Sequence, residues 1–339
     1  LNPTREALED IIADMEGGSR GLAFSSGMAA ISTAFLLLSQ GDHVVVTEDV
    51  YGGTFRMVTQ VLTRFGIEHT FVDMTNLEED KAAIQPNTKV LYVETPSNPL
   101  LKVTDIEAIS TIAKGIGAWT FVDNTFMTPY LQRPLDLGAD IVLHSATKFL
   151  GGHSDTLSGL AVVKDEELGK QLYALQNSFG AVLGVQDAWL VMRGIKTLSV
   201  RMNQSQESAK QIATYLENHP LITNVHFPGL ENHPQYEIHS RQADGPGAVL
   251  SFEIENEDLF KEFVNHVELP VFAVSLGGVE SILSYPAKMS HAAMPESERQ
   301  KRGISNTLLR LSVGLESPED IINDFSNALE LASRHLIKE

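Results

Sequence analysis

Short runs of apolar and β-branched residues alternate with amphipathic runs through the first two hundred residues of this chain. This alternation is the pattern of βα units, in which helices cover a mostly parallel sheet. It predicts an α/β large domain with one seven-stranded sheet. The predicted strands lie near 22–24, 43–47, 70–72, 90–94, 120–123, 141–144 and 159–163. The predicted helices run from Pro3 to the Gly17-Gly18 pair and over 28–38, 54–65, 106–113, 168–177, 185–192 and about 197–218.

The pattern changes after the last of these helices. Fewer strands follow, and their spacing indicates hairpin-like connections. The predicted strands are 248–254, 271–274, 282–284 and 308–313, and the predicted helices are 258–265 and 318–336. We therefore predict a smaller α+β domain and place the boundary near residue 206. The large domain then covers residues 1–206 and the small domain covers residues 207–339.

The composition excludes several kinds of partner and chemistry. The 339 residues carry 25 Lys and Arg against 44 Asp and Glu, for a net charge of −19. Such a charge repels nucleic acid and anionic membrane surfaces, and no apolar run is long enough to span a bilayer. The absence of cysteine excludes disulfides and a thiol nucleophile. Because there is no signal-peptide pattern, we expect a cytoplasmic protein, and because Leu1 comes first, we expect the native N-terminal segment to be missing.

Two charged residues lie at the ends of predicted strands. Lys148 closes Ser145-Ala146-Thr147-Lys148 after strand 141–144, and Asp123 ends strand 120–123. Open α/β sheets bind ligands at such ends, where partial burial lowers the pKa of a lysine and a buried aspartate needs a cation. The pair suits pyridoxal phosphate (PLP), with a Schiff base on Lys148 and the ring nitrogen on Asp123. A surface lysine and a helix-capping aspartate remain alternatives.

A phosphate site is predicted where a helix follows the first strand. Gly27 and Met28 begin that helix, so their N–H groups point outward at the positive end of the helix dipole. The hydroxyls of Ser145 and Thr147 could add donors to the same phosphate. A Ser-Gly sequence before a helix is usually explained by ordinary helix capping, which is the alternative here.

Three further residues could contact a cofactor or a substrate. Tyr51 follows strand 43–47 and could stack on a flat ring, although packing in a loop is the alternative. Asn98 lies between two prolines and could reach a phenolic oxygen of the cofactor. Arg310 lies in an apolar strand, where a lone cation needs an anion, either a substrate carboxylate or an acidic side chain of this chain.

Competing chemistries lack their sequence motifs. The chain has no His-Glu-x-x-His helix, no phosphate-loop pattern, no complete dinucleotide fingerprint and no Gly-x-Ser-x-Gly. Its eleven histidines are scattered. We therefore predict no metal site.

Five blocks, in order along the chain, resemble the Cys/Met-metabolism family of PLP-dependent enzymes, which has fold type I. The blocks are 24–30, 50–54, 122–125, 145–155 and 309–314. The resemblance covers essentially the whole chain. It implies PLP as the cofactor, a PLP-dependent transferase-like large domain and an amino-acid substrate.

The resemblance also implies a role for each candidate residue. Lys148 forms the Schiff base and moves the substrate proton, Tyr51 stacks on the ring and can take a proton from the substrate amine, and Asp123 pairs with the pyridine nitrogen. The implied phosphate-binding residues are Gly27, Met28, Ser145 and Thr147. The implied substrate-binding residues are Arg310, Ser275, Asn98 and, for the distal part of cystathionine, Arg56.

Two differences from other members bear on the reaction. Enzymes that act at Cγ often carry a glutamate where this chain has Val274, and methionine γ-lyases usually carry a cysteine at the position of Gly53. These differences weaken the assignment to either of those classes. The segments 31–42 and 271–287 resemble the bacterial members that act in methionine biosynthesis, which cleave L-cystathionine by β-elimination into homocysteine, pyruvate and ammonia. The alternatives are a γ-lyase, a γ-synthase or O-acylhomoserine sulfhydrylase, and a catalytically silent binding or regulatory protein.

The resemblance further implies a homotetramer built of dimers that share active sites. In the family, a tyrosine and an arginine just before the segment 2–5 reach the phosphate of a neighbouring subunit. These two residues are absent from this sequence. We expect a chain without them to bind the cofactor more weakly.

Overall fold

Two sheets organise the fold, and the computed structural model describes residues 2–292 and 294–336. The first sheet contains β1 (Arg20–Phe24), β2 (His43–Thr47), β3 (Glu68–Val72), β4 (Thr88–Glu94), β5 (Trp119–Asp123), β6 (Ile141–Ser145) and β7 (Gly159–Val163). The second contains β8 (Ile222–His226), β9 (Val249–Ile254), β10 (Val271–Phe272), β11 (Ile282–Ser284) and β12 (Leu308–Ser312).

Thirteen α-helices of the described residues surround these sheets. They are α1 (Pro3–Glu16), α2 (Gly27–Phe35), α3 (Gly52–Arg56), α4 (Leu77–Ala83), α5 (Ile106–Gly115), α6 (Thr128–Leu131), α7 (Glu166–Phe179), α8 (Val185–Ile195), α9 (Leu198–Glu217), α10 (Tyr236–Gln242), α11 (Glu257–His266), α12 (Glu296–Lys301) and α13 (Pro318–Leu336). Within the described ranges, no helix combines the length and the apolar character needed to cross a bilayer.

The large sheet confirms the predicted α/β architecture. Its strand order is β1-β7-β6-β5-β4-β2-β3, with parallel pairing from β6 to β3 and antiparallel pairing of β7 with both β6 and β1. All seven predicted strands are present. The β-branched run of β2 is wholly buried, as expected for a strand covered on both faces. The carboxyl ends of β2, β4, β5 and β6 therefore meet along one edge.

The small sheet confirms a second, α+β half of the chain. Its order is β10-β11-β12-β9-β8, and β12 pairs antiparallel with both of its neighbours. Helix α9 contributes to both halves, because Leu198 and Met202 pack in the core of the large sheet while Ile212 and Leu216 pack with the small sheet. The predicted boundary near residue 206 falls inside this helix.

The prediction of one continuous α-helix over 54–65 is wrong. After α3, residues 57–61 form a π-helical turn and residues 62–65 a 3₁₀ turn. The hydroxyls of Thr59 and Thr63 each donate to the carbonyl four residues earlier, at 2.8 and 3.0 Å. Such side-chain bonds, together with the β-branched residues of this segment, weaken regular α-helical bonding.

Other differences are smaller. The helix predicted over 28–38 ends at Phe35, where the next N–H groups bond three residues back. The edge strand β8 was not predicted, because its residues are mostly half-buried or exposed and show no strong alternation. The short helices α4, α6, α10 and α12 were also not predicted.

Candidate active site

A cavity of about 460 Å³ opens where the carboxyl ends of the large-sheet strands face the small sheet. The structure brings every predicted site residue to this cavity. Those residues are Gly27, Met28, Tyr51, Arg56, Asn98, Asp123, Ser145, Thr147, Lys148, Ser275 and Arg310. Most of them lie at or just after the carboxyl ends of the large-sheet strands, and Ser275 and Arg310 come from the small-sheet half. The carboxyl edge of an open α/β sheet is where a ligand site is expected.

Lys148 follows β6 and points its amine across the cavity to the small sheet. Its Nζ donates to Oγ of Ser275 at 2.7 Å. Burial, assisted by the nearby charge of Arg310, lowers the pKa of the Lys148 amine to about 8. At pH 7 about one-tenth of such an amine is neutral, against about one in three thousand for an ordinary lysine. The side chain is therefore suited to act as a nucleophile and as a proton carrier.

Asp123 ends β5 and is 8% exposed. Its Oδ1 accepts the backbone N–H of Thr125 at 3.0 Å and the Thr125 hydroxyl at 2.5 Å. Burial raises the pKa of the Asp123 carboxyl, against these bonds and the influence of His144. A cation placed against this carboxylate inside the cavity would stabilise its ionised form.

The N-terminus of α2 forms an anion-binding corner of the cavity. Ser26 caps the helix by accepting the N–H of Ala29 at 3.0 Å. The first two N–H groups, those of Gly27 and Met28, have no acceptor within the helix and are free for a phosphate. A Cβ on Gly27 would lie 2.9 Å from Cβ of Ser145, so glycine lets the start of α2 lie directly against the end of β6.

The two predicted hydroxyl donors differ in their present partners. The Thr147 hydroxyl donates to the Ser158 carbonyl at 3.2 Å and accepts the Ser158 N–H at 3.0 Å. Donation from Thr147 to a phosphate therefore requires its proton to leave the Ser158 carbonyl. The Ser145 backbone N–H donates to the Thr125 hydroxyl at 2.9 Å, and Ser145 lines the cavity.

Arg310 lies in the middle of β12 and is 3% exposed. Its Nη1 donates to Oδ1 of Asn98 at 2.8 Å, and its Nη2 donates to the Ser275 carbonyl at 2.7 Å and to Oγ of Ser284 at 3.2 Å. Burial lowers the pKa of the guanidinium to about 10. No acidic side chain of the described residues lies within ion-pair distance of this cation, so the alternative of a salt bridge is wrong there. A substrate carboxylate would provide the missing anion.

Tyr51 and Arg56 flank the mouth of the cavity on α3 and the loop before it. Tyr51 is 44% exposed and has its ring beside Gly53, where a Cβ would come within 2.5 Å of ring atom Cε1. The absence of a side chain at residue 53 therefore leaves room for the ring in this position. Arg56 is exposed at the cavity wall, as expected for a contact to the far end of a substrate.

Sequence reasoning missed several residues that shape this cavity. Thr125 and Glu94 line it, and both stand inside or beside motifs that were considered for other residues. A buried pair was also missed, in which Nε2 of His144 lies 2.6 Å from Oε1 of Glu16 with both side chains fully buried. Position at a strand end was the only available signal for Glu94, and the contact between His144 and Glu16 spans 128 residues.

Comparisons with known proteins identify the family. A family described as Cys/Met metabolism PLP-dependent enzyme matches residues 1–330. The chain belongs to this family. This member of the Cys/Met-metabolism family is 69% identical to a cystathionine β-lyase of Bacillus subtilis, over 97% of the chain and 84% of that protein. It is 53% identical to a cystathionine γ-lyase of the same organism, over 97% of the chain and 87% of that protein.

A solved structure shows the same fold. The cystathionine γ-lyase of Lactobacillus plantarum, complexed with L-serine, superposes with a TM-score of 0.96 at 47% identity. The match covers 98% of this chain and 87% of the other. The family and these neighbours establish the fold-type I architecture and a PLP-dependent enzyme.

The residues of the cavity fit PLP. The start of α2 at Gly27 lies against Ser145 and presents two N–H groups that have no acceptor within the helix, as a phosphate requires. Asp123 is a buried carboxylate that gains a partner if a protonated ring nitrogen lies against it. Lys148 presents a partly neutral amine in the same cavity. These three features match the phosphate, the pyridine nitrogen and the carbonyl of the cofactor.

Proposed function

We propose that this chain is a PLP-dependent carbon–sulfur lyase that converts L-cystathionine into homocysteine, pyruvate and ammonia by β-elimination. The observation that carries the chemistry is the convergence of Lys148, Asp123 and Arg310 on one cavity. The 69% identity to a cystathionine β-lyase supports β-elimination as the reaction.

The large-sheet residues hold the cofactor in this proposal. Gly27, Met28, Ser145 and Thr147 bind the phosphate, and Tyr51 covers one face of the ring. Asp123 keeps a positive charge on the ring nitrogen, because an ionised carboxylate in a buried site stabilises an adjacent cation. When bound, PLP supplies an electron-poor ring that takes up the electron pair left at the substrate Cα.

Arg310 binds the α-carboxylate of the substrate through its guanidinium. Asn98 and the Ser275 carbonyl hold that guanidinium at 2.8 and 2.7 Å, so its donors are fixed before the substrate arrives. Asn98 can also present its amide N–H to the cofactor, since its Oδ1 is already bound to Arg310. Arg56 lies at the cavity wall and can contact the distal carboxylate of cystathionine.

Lys148 moves the proton. Its neutral amine removes the proton from Cα, the bond between Cβ and sulfur breaks, and the sulfur leaves with the bonding electrons. A proton then makes the leaving thiolate homocysteine. The three-carbon product is released as 2-aminoacrylate, which water hydrolyses to pyruvate and ammonia. The hydroxyl of Ser275, which lies 2.7 Å from Nζ, positions the Lys148 amine for this transfer.

The products provide the first test. With PLP and L-cystathionine, we expect equal amounts of pyruvate and homocysteine, identified by mass spectrometry. A cystathionine γ-lyase is the second candidate, because one relative with that name is 53% identical and a solved structure with that name superposes with a TM-score of 0.96. Formation of 2-oxobutyrate and cysteine would establish that alternative instead. A catalytically silent protein would form none of these products.

The assembly proposed is a homotetramer of dimers that share active sites. Large apolar side chains are exposed on α7, α8 and the neighbouring loops, a pattern typical of surfaces that pack against another subunit. They are Leu157, Phe179, Val182, Val185 and Trp189. Leu157 also lines the cavity, which is consistent with a second subunit near the site. Sedimentation velocity should give four times the mass of the chain, and a monomer at micromolar concentration would contradict this assembly.

Two further features remain proposals. We place the domain boundary near residue 206, supported by the change of packing partners along α9. We also propose a cytoplasmic location, since the reaction uses a soluble amino acid and a cofactor that is available there.

A further inference from the structure

Glu94 is a buried carboxylate of the cavity wall that the proposed reaction does not use. It ends β4 and is 6% exposed. Its Oε2 accepts the backbone N–H of Tyr51 at 2.9 Å, and the backbone N–H of Asn98 also stabilises its charge. One side chain thus connects the loop after β2 with the loop after β4.

The charge of Glu94 also acts on the substrate side of the cavity. Arg310 is buried among neutral hydrogen-bond partners, and the carboxylate of Glu94 favours its charged form against the effect of burial. Asp123 lies directly beside Glu94 in the register of β4 and β5. Burial, followed by the charge of Asp123, raises the pKa of the Glu94 carboxyl well above its usual range. Glu94 is therefore buried beside a second carboxyl group, and its hydrogen bond from the Tyr51 N–H offsets part of the cost of that burial.

We propose that Glu94 is a positioning residue, which holds Tyr51 over the cofactor and keeps the Asn98 loop in place beside Arg310. The inference rests on the proposed function, because it assigns Tyr51 to the ring of PLP. Glu94 acts on the cofactor through backbone N–H groups rather than by direct contact. Its effect on cofactor binding therefore passes through Tyr51.

Two variants of Glu94 separate the hydrogen bond from the charge, and a third variant is the control. Glu94→Met keeps the length of the side chain and removes the acceptor, so the Tyr51 N–H loses its partner and Tyr51 gains freedom. We expect the dissociation constant of PLP from this variant to rise about tenfold. Glu94→Gln keeps an acceptor oxygen for the Tyr51 N–H, and its PLP affinity should stay within about twofold of wild type. Asp80→Asn removes a buried carboxylate outside the cavity and is the matched control, with unchanged affinity.

The measurement is titration of each apoenzyme with PLP, followed by near-UV circular dichroism of the bound cofactor, which reports how the ring is held. The Glu94→Met change should disappear in a Tyr51→Leu background, where no ring remains to be positioned. Equal losses in Glu94→Met and Glu94→Gln, or an additive loss with Tyr51→Leu, would contradict the inference.

The outcome is distinguishable from failure of the proposed function. A wild-type enzyme that binds PLP and forms pyruvate, beside a Glu94→Met variant with unaltered affinity and dichroism, would overturn the positioning role alone. A wild-type chain that does not bind PLP would overturn both proposals. If Glu94→Met does not fold, the Glu94→Gln variant tests the inference. A loss of PLP affinity of about tenfold in Glu94→Gln would show that the charge of Glu94, and not its hydrogen bond, affects cofactor binding, and would contradict the inference.

Discussion

Replacing Lys148 with alanine should lower the rate of pyruvate formation from L-cystathionine by about a thousandfold or more. In the proposed mechanism, the variant loses both the amine that reacts with the carbonyl of PLP and the group that removes the Cα proton. The cavity itself should persist, because the backbone of this turn is held by bonds from Lys148 N–H to the Ser145 carbonyl and from Gly152 N–H to the Lys148 carbonyl. PLP should still bind, through the anion-binding corner at the start of α2 and through Asp123.

Coupled assay of pyruvate measures this effect, and the visible absorbance of the lysine-bound cofactor provides a second readout. Lys102→Ala is the matched control, because Lys102 is also partly buried but forms ion pairs with Glu48 and Asp73 away from the cavity. We expect this control to lower the melting temperature and to keep its turnover. Turnover of Lys148→Ala within tenfold of wild type would exclude the assigned role.

Replacing Arg310 with leucine should lower kcat/KM for L-cystathionine by about a hundredfold or more. In the proposed complex, the guanidinium of wild-type Arg310 offers two donors to the α-carboxylate. In the leucine variant, the α-carboxylate enters a buried site that has lost this cation. Because the carboxylate is bound in both the ground state and the transition state, most of the loss should fall on KM. Steady-state kinetics over a wide range of substrate concentration measures how the loss divides between KM and kcat.

Arg310→Lys is the informative comparison for this residue. Lysine keeps the charge but cannot reproduce the planar donors that reach Asn98 and Ser275 together. We expect kcat/KM of this variant to fall between wild type and Arg310→Leu. Because Arg310→Leu leaves the Asn98 and Ser275 oxygens without a donor, its melting temperature should be compared as well. An unchanged KM in a folded Arg310→Leu enzyme would contradict the proposed contact.

Most of the fold could be predicted because its signals are local. The strands of the large sheet are short, continuous apolar runs, since both faces are covered, and such runs are easily distinguished from amphipathic helices. The exposed edge strand β8 lacks that signal. The π and 3₁₀ turns over 57–65 depend on hydroxyl bonds between successive turns, which a pattern of apolar residues does not report.

The site was predictable where a residue's type is unusual for its position. Lys148 and Asp123 are charged residues at strand ends, and Arg310 is a cation in an apolar strand, so each required a partner. The bond between Lys148 and Ser275 could not be predicted in its geometry, because it joins residues 127 positions apart on different sheets. Glu94 was missed for the same reason. Its partner Tyr51 is brought near only by the pairing of β2 with β4.

The division of the cavity between the two sheets has an evolutionary consequence. The groups proposed to hold PLP follow strands of the large sheet, whereas Ser275 and Arg310 belong to the small sheet and its loop. Val274, beside Ser275, is 62% exposed at the cavity wall and makes little contribution to packing. Such a position can mutate without disturbing the cofactor. We expect new substrate preferences in this lineage to arise first in the segment around Val274, while the cofactor chemistry is inherited unchanged.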